Sequence, residues 1–148
     1  MSPHLVTKQH ITYAAAAAVI TAGLAKAAEL GTNASIVITD ATGEIVAVAS
    51  TPGANPRGWR GGLGKATAAA GMGISTAAFL EKRLKQDEVL WRALSNNPER
   101  MFVPGGIPLK AGGQTVGAVG ASGGHYEDDA TVAQAVVDAF DALLATDA

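Results

Sequence analysis

Residues 34–49, which read ASIVITDATGEIVAVA, decide the fold class. Residues 34–40 are rich in β-branched side chains and predict a strand, and residues 44–49 predict a second one. The turn-forming residues 40–43 lie between them, so the two strands are expected to form a β-hairpin. Gly112-Gly113 separates two further strand patterns and predicts a second hairpin, because both glycines accept positive φ.

Helical patterns surround the two hairpins. Thr7 is the expected N-cap of the first helix, and Val132, Val136 and Phe140 form the apolar stripe of the last. The order helix, hairpin, helices, hairpin, helix predicts a single-domain α+β fold over residues 1–148, with helices packed on an antiparallel sheet. The predicted helices are 8–30, 63–72, 75–85, 87–94 and 127–145, and the second hairpin is 107–111 with 114–121.

Composition excludes several classes of function. The chain has 148 residues, of which 48% are hydrophobic and 16% charged, so long disorder is not expected. A net charge of -2 makes nucleic acid and anionic membranes poor candidates for partners. The absence of cysteine excludes disulfides, iron–sulfur clusters and cysteine nucleophiles.

Small residues dominate the apolar fraction and leave two readings open. They indicate either burial completed by self-association or a genomic bias towards alanine and glycine. The apolar residues 14–20 resemble a signal-peptide core, but Lys8 is the only lysine or arginine before them, so we expect a helix of the mature protein. We also expect a cytoplasmic location.

Two short motifs are present without their required context. Gly64-Lys65 lacks the earlier glycine and the following Ser or Thr of a phosphate-binding loop. Residues 120–124 match G-x-S-x-G, but no histidine follows His125 to complete a hydrolase triad. We interpret this second segment as a tight turn.

Lys65 is a candidate functional cation because it stands alone in the small, apolar segment 61–73. It either extends to solvent, as lysines on such helices usually do, or pairs with a carboxylate or an anionic substrate. Asp40 is the expected partner by topology. Asp40 could equally make the side-chain hydrogen bonds of an Asx turn.

An acidic cluster begins the last helix. Glu127, Asp128 and Asp129 follow His125, and acids in a first turn complement the helix dipole. Two functional readings are kept beside this one. His125, Glu127 and Asp128 could hold a divalent cation, or the amides of Gly123-Gly124 could bind an anion.

The remaining candidates are histidines and a loop. His4 and His10 lie near the first helix, and each is either solvated or a metal or haem ligand. Met101 and Phe102 lie beside Pro104-Gly105-Gly106 and are expected to line a pocket or to form an apolar wall.

The ordered set of segments 37–43, 51–54, 64–68, 104–108, 116–124 and 128–129 resembles the GlcG/HbpS-like family of haem-binding proteins. The resemblance implies a profilin-like α/β/α sandwich, and it implies homo-oligomers from dimers up to octamers. It also implies haem as a cofactor of some members. A threonine that haem-binding members offer as a ligand corresponds here to Ile107, which leaves His10 and His125 as candidates.

Three hypotheses follow. A binding protein would hold haem or another anionic planar molecule between residues 104–106, the Lys65 helix and strand 117–124, with Met101 and Phe102 as apolar contacts. A cofactor-independent enzyme would anchor a small carboxylated metabolite on Lys65 for a hydrolytic or isomerising proton transfer. Its proton-transfer groups would be Asp40, His125 or Glu127. The third reading is a structural or regulatory oligomer.

Overall fold

A four-stranded antiparallel sheet of order β2-β1-β4-β3 forms the centre of the protein in the computed structural model, which describes residues 1–147. The two hairpins join through pairing of β1 with β4, so the predicted sheet is confirmed. The strands are β1 (Ser35–Asp40), β2 (Ile45–Ser50), β3 (Gly106–Ala111) and β4 (Gln114–Ser122).

Helices cover both faces of this sheet, which confirms the α/β/α arrangement. The helices are α1 (Tyr13–Leu30), α2 (Trp59–Met72), α3 (Thr76–Lys82), α4 (Glu88–Ser95) and α5 (Tyr126–Ala145), and a 3₁₀ turn covers Leu84–Gln86. Helices α1 and α5 pack together on one face, and α2 lies on the other.

The alternation of side chains along β1 explains this layering. Ile36 and Ile38 are fully buried and join the core beneath α1 and α5. Val37 points the other way and contacts α2 near Gly62. Successive side chains of a strand point to opposite faces, so a strand that is buried at five of its six positions requires cover on both sides.

The first helix begins later than the sequence predicted, and Thr7 is not its cap. The Thr12 hydroxyl accepts a hydrogen bond from the Ala15 amide at 3.1 Å and caps α1. The reason is tertiary: the Ile11 amide donates to the Val116 carbonyl at 2.9 Å, which holds this segment against β4. Residues 1–10 are exposed and precede that tether.

Two other helix boundaries also differ from prediction. Helix α2 begins at Trp59 rather than residue 63, because its glycines face the sheet and permit close packing. The predicted helix 75–85 is interrupted at Arg83, where φ is -125°, before the short 3₁₀ turn.

Helix α1 is the one helix among residues 1–147 that is long and apolar enough to cross a membrane by length and composition. Core helices of water-soluble proteins meet the same criteria. Here Ala16, Val19 and Gly23 are buried, and a methyl group on Gly23 would crowd Ile36 and Val136. The helix therefore packs as a core element of this domain.

Candidate functional site

Lys65 is buried beneath the sheet and is fully engaged by protein groups. Its side chain extends from α2 and is 3% exposed. The Nζ atom donates to the Ala121 carbonyl at 2.9 Å and to Oδ2 of Asp129 at 2.8 Å. The other carboxylate oxygen of Asp129 accepts from the Gly124 amide at 3.2 Å. The pair therefore ties α2 to the end of β4 and to the first turn of α5.

The expected pairing of Lys65 with Asp40 is wrong. Strands β1 and β4 are antiparallel, so Ala121 lies opposite Ile36, near the beginning of β1. Asp40 lies at the other end, opposite Gly117. Four residues of strand separate the two ends by roughly 13 Å, beyond the reach of a direct ion pair.

The sequence does contain a signal for the true partner. Asp129 precedes Val132 by three residues, Val136 by seven and Phe140 by eleven, which places it on the apolar stripe of α5. A carboxylate on such a stripe is buried and requires a partner. Asp129 is 2% exposed, and Lys65 supplies that partner.

The prediction of a pocket between residues 104–106, α2 and β4 is also wrong, because tightly packed protein atoms occupy this space. A methyl group on Gly106 would overlap the Lys65 carbonyl, and one on Gly120 would overlap the Gly62 carbonyl. The glycines bring helix and sheet backbones together rather than admitting a ligand. Lys65 consequently presents no free charge for a ligand carboxylate.

Met101 and Phe102 do not form one wall. Phe102 is 8% exposed and packs against Phe79 with ring centroids 5.0 Å apart, inside a small core under α3. Met101 is 38% exposed, and its amide donates to the Gly64 carbonyl at 3.0 Å. Pro104 and Gly105 complete the connection from this cluster to β3.

His125 acts as a helix cap. Its Nδ1 accepts from the Glu127 amide at 3.2 Å, and its ring stacks on Tyr126. Within residues 1–147, no three histidine or acidic side chains come together as a metal-binding group. The structure therefore does not assemble His125, Glu127 and Asp128 into the expected metal site. The Gly124 amide is bonded to Asp129, so the Gly123-Gly124 pair does not offer two free donors to an anion.

Asp40 makes the Asx turn that the sequence allowed. Its Oδ1 accepts from the Thr42 amide at 2.8 Å, the Thr42 hydroxyl at 2.6 Å and the Glu44 amide at 3.2 Å. Partial burial acts to raise the pKa of Asp40, but these hydrogen bonds and nearby His10 outweigh it and hold the pKa below its ordinary value. Asp40 is therefore ionised at neutral pH.

His10 lies beside this carboxylate. Its Nδ1 is 4.0 Å from Oδ2 of Asp40 and accepts a hydrogen bond from the Ala41 amide at 3.3 Å. The imidazole is 38% exposed. Within residues 1–147 the Nε2 atom has no hydrogen-bond partner, so this nitrogen is available to an external group.

His10 also borders an apolar groove between α1 and α5. The groove has a volume of about 600 Å³. Its walls are formed chiefly by Ile11, Ala15, Ala18, Val116, Phe140 and Leu143. Volumes of this size and apolar walls with few polar groups are typical of small-molecule sites. Sequence reasoning missed this groove because it depends on how two helices far apart in the chain pack together.

A second depression of about 500 Å³ lies where the β1–β2 turn meets α2. Trp59, Arg60, Glu44 and Glu99 line it, and the Arg60 guanidinium lies 5.6 Å from the Trp59 ring. The polar groups here carry mixed charges. The groove beside His10 is the better candidate for a large apolar ligand.

Comparison with known proteins identifies a family whose model matches this chain. A family model described as "Haem degrading protein HbpS-like" matches residues 11–138. No curated protein sequence matches the chain. Protein ORFY of Klebsiella pneumoniae has a similar structure, with 27% identity and a TM-score of 0.86, covering 96% of this chain and 98% of that one.

Two further solved structures are similar. HbpS of Streptomyces reticuli, solved as a double mutant, has 27% identity and a TM-score of 0.82, with 93% of this chain and 92% of that chain covered. The complex of PduOC with haem has 22% identity and a TM-score of 0.78, with 88% and 94% covered, and this likeness concerns the fold alone.

Proposed function

This chain belongs to the HbpS-like family, and from that premise we propose that it is a haem-binding protein whose haem occupies the groove between α1 and α5. The observation that carries the proposal is the position of His10, a histidine with an unengaged Nε2 at the rim of an apolar groove. The solved haem complex of PduOC, which has the same fold, supports the choice of ligand.

The groove fits the apolar body of the ligand. A porphyrin ring is planar and largely apolar, and Ala15 and Ala18 keep the α1 wall low enough for a flat molecule to approach. Ile11, Val116 and Phe140 supply the apolar floor. The volume of about 600 Å³ lies within the usual range for cofactor sites, roughly 300–1,000 Å³.

His10 is suited to be an axial ligand of the haem iron. Imidazole is a common axial ligand, and a ligating histidine usually donates its other N–H to a carboxylate or carbonyl. Ligation through Nε2 requires the proton to lie on Nδ1, so the hydrogen bond that Nδ1 accepts from the Ala41 amide would be exchanged for one that Nδ1 donates to the ionised Asp40 carboxylate, whose Oδ2 lies 4.0 Å away. When bound, the haem would supply an iron centre able to bind small ligands or transfer electrons.

The ligand's carboxylates would lie at the open side of the groove. Lys8 lines a shallow depression with Gln9, and Gln9 also lines the groove. Lys8 is exposed and could meet one propionate without being desolvated. Lys65 is excluded from this role because its charge is already paired in the core.

The enzyme hypothesis lacks a free cation to bind its substrate for the same reason. It required Lys65 to hold a substrate acid, whereas Lys65 is 2% exposed and bonded to Asp129. The cytoplasmic location and the homo-oligomer remain predictions.

A titration of the purified protein with haemin, followed by absorbance, tests the proposal. We expect a saturable, shifted Soret band for the wild type. His10→Ala should weaken binding at least tenfold and change the band position, because the imidazole ligand is lost. His125→Ala is the matched control and should behave like the wild type. An unsaturable titration, or His10→Ala binding as tightly as the wild type with the same spectrum, would overturn it.

A further inference from the structure

The Asp40 carboxylate has one oxygen that the Asx turn does not use. The hydrogen bonds from the Thr42 amide, the Thr42 hydroxyl and the Glu44 amide all end on Oδ1. Within residues 1–147, Oδ2 accepts no hydrogen bond, and Nδ1 of His10 lies 4.0 Å from it. The turn therefore fixes the carboxylate through one oxygen and leaves the other beside the imidazole.

The imidazole of His10 has two alternative partners on this turn. The Ala41 amide donates to Nδ1 at 3.3 Å, and this bond requires the proton of a neutral imidazole to lie on Nε2. Asp40 is the other partner, and its Oδ2 accepts from a protonated Nδ1 once the two atoms approach by about 1 Å. Since the two partners are consecutive residues, a small movement of the ring exchanges one for the other. Only the bond to Asp40 leaves Nε2 unprotonated and able to bind iron.

The charges around the groove are mainly negative. Apart from His10 itself, Asp147 is the one ionisable side chain among the described residues that line the groove. Asp40 lies behind His10 and adds a second negative charge. Lys8 lies in the adjacent depression and is exposed, so solvent screens its charge. Ferric iron carries one more positive charge than ferrous iron, so these carboxylates stabilise the ferric state more.

We propose that Asp40 positions His10 and makes the groove bind ferric haem more tightly than ferrous haem. This inference rests on the proposed function and adds the oxidation state of the ligand. A carboxylate that accepts from Nδ1 increases electron donation by Nε2, and hydrogen bonds of this kind help to set the reduction potential of a haem. A planar ligand in the groove would also cover the imidazole, which is 38% exposed without it, and loss of water strengthens the bond to Asp40. Asp40 acts through His10 and is therefore a positioning residue.

Asp40→Asn tests the inference with little change of shape. Its side-chain oxygen still accepts from the turn, but the NH₂ group in place of Oδ2 donates and cannot accept from Nδ1. Glu44→Gln is the matched control, because it removes an equal charge from the same hairpin without removing the partner of His10.

Ala41→Pro is a second variant that leaves the carboxylate intact. It removes only the amide that competes for Nδ1. The Gly43 amide donates to the Asp40 carbonyl at 3.2 Å, so Ala41 is the second residue of a four-residue turn, a position at which proline is favoured. We expect about threefold tighter binding of haemin, because the imidazole is no longer held in the form that cannot ligate.

Titrations with haemin and, under dithionite, with ferrous haem measure the two affinities, and spectroelectrochemistry measures the reduction potential of the bound haem. The wild type should bind the ferric form more tightly. Asp40→Asn should lower the ratio of ferric to ferrous affinity on the order of tenfold. That change raises the potential by about 59 mV for a one-electron couple. Glu44→Gln should keep the wild-type potential. A purely structural role of Asp40 would weaken both forms equally and leave the potential unchanged.

The outcomes separate this inference from the haem proposal. A wild type that binds no haemin, or His10→Ala that binds it as the wild type does, overturns both. Where haemin binds through His10, three results overturn this inference alone. They are a wild type that binds ferrous haem as tightly as ferric, Asp40→Asn with the wild-type potential or the same shift as Glu44→Gln, and a folded Ala41→Pro that binds haemin more weakly than the wild type.

Discussion

The ammonium of Lys65 lies 2.8 Å from the carboxylate of Asp129, and both side chains are 3% exposed. The two residues are 64 positions apart in sequence. They join helix α2, which covers one face of the sheet, to helix α5, which covers the other face. The bond passes beside the end of β4, where Ala121 contributes its carbonyl. The pair is therefore a structural tie across the sheet.

Removing one partner of this tie should be strongly destabilising. Lys65→Met would leave the Asp129 carboxylate buried without its counter-charge, and we expect a loss of about 3–5 kcal/mol in the free energy of unfolding. The double variant Lys65→Met/Asp129→Leu should recover at least half of that loss, because no unpaired charge remains. Urea denaturation of the single and double variants measures both effects. A loss below about 1 kcal/mol for Lys65→Met would contradict the structural role.

Lowering the pH should destabilise the β1–β2 hairpin, because the Asp40 carboxylate becomes protonated. The pKa of this carboxyl is lower in the folded protein than its ordinary value of 3.8, so the ionised form stabilises the fold. That stabilisation is fully present above the unfolded pKa and is lost as the pH falls from about 5 through the folded pKa.

Asp40→Asn should remove this acid-sensitive contribution and cost about 1 kcal/mol at pH 7, because an amide oxygen accepts weaker hydrogen bonds than a carboxylate. Urea midpoints for the wild type and Asp40→Asn between pH 7 and pH 3 give the comparison. The two curves should converge on acidification. Parallel curves would show that Asp40 does not contribute.

Close backbone packing predicts that Gly106 tolerates no side chain. Its added methyl group would meet the backbone of Lys65, which cannot move without displacing α2. We expect Gly106→Ala to cost more than about 3 kcal/mol or to prevent folding. Gly71→Ala is the control, since its methyl group would meet only the flexible end of Arg100 at 3.2 Å. Thermal denaturation of Gly71→Ala should give a free energy of unfolding within about 1 kcal/mol of the wild-type value. Similar losses for the two variants would refute this account.

The cap of α1 is testable with a matched pair of threonines. Thr12→Ala removes the hydroxyl that accepts the Ala15 amide, and we expect a loss of about 1 kcal/mol in the free energy of unfolding. Thr7→Ala alters an exposed residue outside the helix and should change stability by less than about 0.5 kcal/mol. Chemical denaturation of both variants distinguishes them. The opposite order would place the helix start near residue 7.

Local patterns predicted the elements well where local energetics dominate. The strand at 35–40 and the turn at Asp40 follow from β-branched residues and an Asx side chain, and both are present. Helix α5 begins within one residue of its predicted start and ends at the predicted residue, because its stripe of Val132, Val136 and Phe140 continues to the final turn. The start of α1 was misplaced because its limit is set by a long-range bond to β4.

The candidate site was less predictable. Lys65 was singled out correctly as unusual, but its chemistry depended on which end of the sheet it reached. That is determined by the pairing of β1 with β4 and by its register, and the pairing of strands far apart in the chain leaves no local mark in the sequence. His10 was one of several solvated candidates until the fold placed it beside Asp40 and at the rim of the α1–α5 groove.

The sequence by itself determined the secondary structure, the antiparallel class of the sheet and the residues that must be buried, because periodicity and turn chemistry are local properties. Only the tertiary structure decided that Lys65 pairs with Asp129 and that the open groove lies between α1 and α5. It also decided that backbone atoms occupy the space beside the glycines where a pocket was expected. These outcomes arise from contacts between residues distant in the chain. Their free energies depend on the joint packing of helices and sheet, which no single segment encodes.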